Sequence, residues 1–194
     1  QKCFKGFEPN GEGFVITPGE AKHLLEQHPL NTSVVRPYLT GRDINSFAVP
    51  TIPRWIIDFD ERSEQEARHF ESVFKIIEAK VFPERMKKDA RKYPRMVNEW
   101  WKFWINKKEL RSNLEVLHRV LCQCRTSKTH AFAFADSGPI FSTEVIVVAS
   151  DRDDIFAVLQ SCFHEIWAWK NSSTFKGDRR YAPTDCFETF AFPA

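Results

Sequence analysis

The sequence contains no apolar run approaching the ~18 residues of a membrane span. It opens on Gln1, without an initiator methionine or a recognisable signal peptide. The start at Gln1 reads as a piece excised from something longer, and the cysteine usage gives the expectation of a cytoplasmic setting. Cys3, Cys122, Cys124, Cys162 and Cys186 are odd in number and include no C-x-x-C pair. That pattern lacks the ligand-like spacing of a zinc site and fits a reducing compartment. Excess charge is scarce as well. Lys and Arg number 28 against 26 Asp and Glu, a formal net charge of +2. Any binding to nucleic acid must therefore come from a local patch.

Catalytic signatures are missing too. There is no G-x-S-x-G, no P-loop, no G-x-G-x-x-G and no Asn-Pro-Pro-Tyr motif of the amino-methyltransferase kind. Asp58 and Asp60, followed by Glu78-Ala79-Lys80, superficially resemble a magnesium-dependent nuclease. That chemistry needs Glu and Lys on a strand, where alternate residues share a side. Here they fall in a helical pattern, on which the two side chains diverge. The expectation is a chain that performs no chemistry by itself, with no catalytic residue, metal or cofactor of its own.

What is present is a large apolar and aromatic supply: 42% hydrophobic residues, with 18 Phe and 6 Trp in 194 residues. That suffices for one large domain or two small ones. Thr17-Pro18-Gly19-Glu20 reads as a capped helix start. Arg36 and Arg42 flank a loop containing Pro37 and Gly41, where glycine permits a turn that other residues resist. The loop could clamp phosphate, or an Arg42–Asp43 pair could simply pin it. Pro50 and Pro53 bracket a linker, and Arg54–Phe59 is a strand. Ser63 and Glu66 form a capping box opening a helix to about Lys80, interrupted by Pro83. From Lys80 to Arg111 eleven basic and four acidic residues give a net +7. This block, carrying Arg85 and Lys88, is interleaved with aromatics and is predicted to be a basic helical arm, with residues 63–117 a possible helical sub-region. Trp100 and Trp101 fit the core better than base stacking. Val145–Ala149 is a strand covered on both faces. Ile155 to about Lys170 is a helix apolar nearly all round, buried against the sheet, with His164 a core residue. The fold class expected is α+β, a mixed β-sheet packed by helices.

The central stretch runs from Arg119 to Phe134. Val120, Leu121, Cys122 and Cys124 make a buried strand. Arg125, Thr126, Ser127, Lys128, Thr129 and His130 follow as a cluster of hydrogen-bond donors. Donors at the end of a rigid strand suit base edges and phosphates, or else form a solvated hairpin turn. A second basic cluster, with Arg179 and Arg180, lies on a loop near the end.

Three islands in this order resemble one family. Val-Arg-Pro-Tyr-Leu-Thr-Gly-Arg-Asp-Ile-Asn at Val35–Asn45 precedes Arg54–Phe59. Arg119-Val120-Leu121 leads through Arg125-x-Ser127-Lys128 to Phe132-Ala133-Phe134. Leu159-Gln160-Ser161 to Trp167 precedes Arg180-Tyr181-Ala182-Pro183-Thr184-Asp185-Cys186-Phe187-Glu188-Thr189-Phe190-Ala191-Phe192-Pro193. The chain, over residues 1–194, resembles the target-recognition region of the Type IIG/IIL (MmeI-like) restriction-modification enzymes and related adenine-specific DNA methyltransferases. The resemblance implies a double-stranded DNA specificity module. Its catalytic partner would be an upstream methyltransferase domain of the same chain using S-adenosylmethionine, with magnesium for any nuclease domain. It places base reading at Lys128, Thr129 and His130. It places DNA-backbone contact at Arg125, Ser127, Arg179 and Arg180, beside the contacts that the loop suggests for Arg36 and Arg42 and the basic block for Arg85 and Lys88. Relatives often carry an acidic or second Arg residue just after the serines; here Lys128 and Thr129 stand there, so no DNA site is carried over. The competing readings are a protein-interaction module without DNA affinity and a metal-dependent nuclease.

Overall fold

The computed structural model describes residues 2–46 and 54–193; the Pro50–Pro53 linker expected from the sequence lies outside them. In chain order the elements are β1 (Cys3–Lys5), β2 (Val15–Ile16), α1 (Pro18–Gln27), β3 (Val35–Leu39), α2 (Gly41–Ser46), β4 (Arg54–Ile57), α3 (Glu64–Arg68), α4 (Glu71–Lys80), α5 (Phe82–Arg85), α6 (Pro94–Asn98) and α7 (Lys108–Val116). There follow β5 (Arg119–Cys124), β6 (Thr126–Ser127), β7 (Ala133–Asp136), β8 (Ile140–Phe141), β9 (Val145–Val148), α8 (Asp153–Leu159), α9 (Cys162–Asn171), β10 (Ser173–Phe175), β11 (Asp178–Arg180) and a closing π-helical turn, Pro183–Phe187. The fold is α+β. The chain divides into two compact units.

The first unit holds the described residues of Gln1–Gly6, Leu39–Thr51 and Lys107–Ala194. Its principal sheet has the order β1-β9-β5-β7, with antiparallel pairings. Strands β9 and β5 are central, and Leu121 lies opposite Val148 and Cys122 opposite Val147. All four residues of β9 are buried, as the unbroken Val-Ile-Val-Val run requires of a strand covered on both faces. Leu121, Ile146 and Val148 pack with Ile155, Leu159, Ala168, Cys186 and Phe187 in one core. Each of the Leu, Ile, Val and Phe side chains among them contributes roughly 1.5–3 kcal/mol on burial.

Two local expectations change. The run from Ile155 to Lys170 is not one helix. Ser161 caps α9 by accepting from the His164 amide, and a capping hydroxyl that satisfies an otherwise unpaired amide marks a helix start. The rotation this introduces leaves α9 burying only His164 and Ala168, while Phe163 is 76% and Ile166 67% exposed. Gly41 is also required for a different reason than the one its type suggested. It does not adopt the left-handed backbone; a Cβ there would stand 2.8 Å from Cys124 Sγ and 3.1 Å from Glu144 Cβ. Gly41→Ala should cost about 1–3 kcal/mol of stability through overpacking, which urea unfolding would measure.

The second unit comprises the described residues of Phe7–Tyr38 and Ile52–Asn106. Strands β2, β4 and β3 pair antiparallel, Val15 opposite Ile56 and Val35 opposite Ile57. Both expected capping boxes form, Thr17 with Glu20 and Ser63 with Glu66. The helix opened by Ser63 stops at Arg68 and resumes at Glu71, because Phe70 leaves helical geometry. Its ring and that of Phe74 meet Phe59, and Phe74 meets Trp100. Trp100 and Trp101 are buried, as expected of core anchors. The stretch from Lys80 to Arg111 is not a continuous helical arm. It contains α5, α6 and the start of α7, with turns between them.

Candidate nucleic-acid interface

The donor cluster after β5 and the basic cluster near the chain end are about fifty residues apart, yet they form one small sheet. Strand β11 pairs antiparallel with β6, Arg179 opposite Ser127 and Arg180 opposite Thr126, and β10 pairs on the other side of β11. The Arg125 amide donates to the Glu144 carbonyl and the Arg125 carbonyl accepts from the Tyr181 amide, so this segment is pinned from both sides.

A cleft of about 430 Å³ opens beside this sheet, and Arg42, Arg125 and Arg180 all line it. Asn45, Thr126 and Thr143 add donors, Phe175 adds an aromatic face, and Glu144 is the one carboxylate among the described lining residues. Arg42 reaches the cleft because α2 begins at Gly41, directly against Cys124 and Glu144. The Asp43 carboxylate does not pin Arg42. It is buried and accepts from the amide and hydroxyl of Thr40 (2.8 and 2.6 Å), which leaves the Arg42 side chain exposed. Three arginines lining one concavity suit a phosphate or the acceptor edge of guanine.

The turn after β6 presents two side chains outward. Lys128 and Thr129 are exposed. Ser127 Oγ lies 3.1 Å from Thr129 Oγ1 and accepts from the Thr129 amide, so Ser127 braces the turn. His130 is the exception among the three expected base readers: it is 7% exposed and turned inward. The guanidinium of Arg179 lies 2.7 Å from its Nδ1, and its Nε2 lies 2.6 Å from the Leu159 carbonyl. An arginine can only donate, so Nδ1 accepts and the proton sits on Nε2, donated to Leu159. Burial, the largest cause, and the adjacent Arg179 charge hold the His130 pKa below its ordinary value, partly offset by the Leu159 bond.

Arg179 itself is 1% exposed, on the opposite side of β11 from Arg180. Strand alternation forces that divergence: only one of two consecutive residues can face the cleft. Arg179, expected at a phosphate, is thus turned inward. Arg85 is turned inward in the same way. It is 2% exposed, donates to the Pro9 carbonyl at 2.6 Å and stacks on Phe14. Burial pushes its pKa down to about 10. Lys88 is exposed, together with Lys87, Arg91 and Lys92. Other cations of the basic stretch are engaged: Lys80 with Glu20, Arg95 with Glu61 and Glu99, and Lys102 with Glu99. Arg36 is half-buried on β3.

His164 is buried and its Nε2 lies 3.0 Å from the Tyr181 hydroxyl. Burial, His130 and Arg179 together push its pKa down to about 3. The nuclease-like residues do not converge. Glu78 faces Arg68 while Lys80 bonds Glu20, on separate sides of α4. Among the described residues no three His, Cys, Asp or Glu side chains are grouped to hold a metal ion, and none of their helices is long and apolar enough to cross a membrane.

Gln123, Gln160, Asn45 and Thr143 were not singled out as site residues from the sequence. Gln123 carried a signal, a lone polar residue inside an apolar strand. The other three are recognisable only once the elements are assembled.

No curated protein matches the chain. Among solved structures it is similar to the Type IIL restriction-modification enzyme MmeI in complex with DNA, with a TM-score of 0.75 at 19% identity. The match covers 100% of this chain and 25% of that one, so the chain spans about a quarter of the enzyme it matches. At that identity the likeness establishes the fold. The family model of the MmeI target recognition domain matches residues 1–194, and the chain belongs to that family.

Proposed function

We propose that this chain reads duplex DNA sequence as the specificity module of a restriction-modification enzyme. The observation that carries the reading is the β6–β11 pairing. It sets the Arg42, Arg125 and Arg180 cleft beside the turn that exposes Lys128 and Thr129. The arginines hold phosphate, and the turn reads a base edge. Lys128 is the principal reader, since an ammonium donates to the guanine O6/N7 edge; Thr129 is less selective. Exposed Lys88 and its basic neighbours supply sequence-independent affinity. In the parent enzyme a methyltransferase domain of the same chain, using S-adenosylmethionine, would modify adenine at the chosen site. Any nuclease domain would use magnesium. Five free thiols among the described residues suit work in the cytoplasm.

The test is selection from a randomised duplex pool at low salt, followed by sequencing of what is retained. The reading requires an enriched motif. Lys128→Ala should lose preference at one base pair of that motif by about 1–3 kcal/mol, while random-sequence affinity changes little. Equal loss on every sequence would remove Lys128 from base reading.

One observation favours a second reading. Phe163 and Ile166 of α9 are exposed apolar side chains, which suit contact with another protein. A chain that binds no duplex even at low salt would leave that role in place of DNA reading.

A further inference from the structure

Arg179 is an unusual buried group. Its charge has no carboxylate in ion-pair contact among the described residues; its hydrogen-bond partners are the neutral His130 Nδ1, Gln123 Oε1 (3.1 Å) and Thr129 carbonyl (3.5 Å), and it lies over the Trp169 and Tyr181 rings at 5.9 and 5.4 Å. Its Nε has no hydrogen-bond partner. Burying a charge among neutral acceptors is costly, so stability alone does not account for it. The acceptors do: two of the three belong to the turn that carries the exposed Lys128. The same turn is held a second time by Gln160, whose side chain donates to the His130 carbonyl (3.0 Å) and accepts from the Phe132 amide (2.8 Å).

We infer that Arg179 is a positioning residue for specificity: without touching DNA, it clamps Thr129 and His130 from inside and so fixes the direction in which Lys128 and Thr129 meet a base. The inference rests on the proposed function, and it explains why consecutive arginines of β11 have different jobs. Arg180 faces outward to hold charge, and Arg179 faces inward to hold shape. A bidentate base contact demands a fixed donor direction, so discrimination is more sensitive to a loose turn than phosphate affinity is.

The test uses the full chain with Arg179→Met and with the double change Arg179→Met, His130→Leu. The double variant removes both partners of the closest contact, so neither is stranded by loss of the other, and continued protection of the β5 and β9 amides shows that it folds. In both variants the Thr129 and Phe132 amides should exchange about tenfold faster than in the parent, while those of β5 and β9 stay protected. Enrichment of the preferred motif from the randomised pool should fall about tenfold, with the salt dependence of random-duplex binding unchanged. A salt slope reduced by about 0.9 would mean that Arg179 neutralises a phosphate, and overturns the inference. Unchanged exchange at the turn, or unchanged enrichment beside faster exchange, overturns it as well. Nitrogen-15 NMR of His130 in the parent decides the geometry independently of DNA: a proton on Nε2 supports the clamp, and one on Nδ1 refutes it. If the parent chain enriches no motif, the DNA-reading proposal fails by itself, and exchange with the His130 tautomer still decides whether Arg179 holds the turn.

Discussion

With Arg42 and Arg180 both changed to alanine, the chain will bind every duplex more weakly, and the slope of log K against log salt will fall by about 1.8. The expectation follows from counterion release, worth about 0.9 of slope for each phosphate neutralised on B-form DNA. Both side chains are exposed and line the same cleft. Their loss creates no cavity and strands no buried partner, so a fall in affinity reads as lost phosphate contact and not as unfolding. The preferred motif should survive, because the turn carrying Lys128 is braced by Ser127, Gln160 and Arg179. Salt titrations on one random-sequence duplex would measure the effect. An unchanged slope would remove the cleft from the interface, whatever happened to affinity at a single salt concentration. Lys88→Ala provides the comparison in the other unit, with an expected change of about 0.9.

Acid will destabilise the first unit well before most carboxylates titrate, and His164 will be the main cause. Its pKa is pushed down to about 3 from an ordinary 6.5, by burial first and then by His130 and Arg179; that of His130 is lowered in the same direction. A histidine whose folded pKa is depressed binds its proton more readily in the unfolded chain. Its contribution is therefore complete above pH 6.5 and is lost progressively as the pH falls towards 3. Each unit of that window corresponds to about 1.4 kcal/mol, so His164 alone accounts for roughly 2–3 kcal/mol by pH 4.5. Urea unfolding between pH 6.5 and 4.5 should show this decline. In His164→Gln, which keeps a side-chain partner for the Tyr181 hydroxyl, the decline should be about half as steep or less. A parallel decline in the variant would assign the acid sensitivity elsewhere.

Local chemistry was legible in the sequence wherever the decisive partner lies within a few residues. Thr17 with Glu20 and Ser63 with Glu66 cap their helices because a capping box needs only four consecutive residues. The buried strands β5 and β9 followed from their apolar runs, and the α+β class and the Trp100–Trp101 anchor from spacing and composition. The three family islands were equally legible, since resemblance compares residues in order and needs no coordinates. Among the site residues, Arg42, Arg125 and Arg180 are brought together in space, and Lys128 and Thr129 remain exposed.

What the sequence alone determined is thus the local order of the chain: where elements start, which strands are central, and which family the chain resembles. The tertiary structure decided which charges face outward. Arg179 and Arg180 are indistinguishable in a linear reading, and so are Arg85 and Lys88. One of each pair is buried because strand alternation and helix rotation assign faces only after distant partners, His130 for Arg179 and Pro9 for Arg85, have taken their places. His130 looked like a donor available to a base, and became a buried acceptor when β11 paired with β6. Burial is a property of the assembled fold, and the cost of removing a charge from water makes it decisive for which arginines remain available to a phosphate.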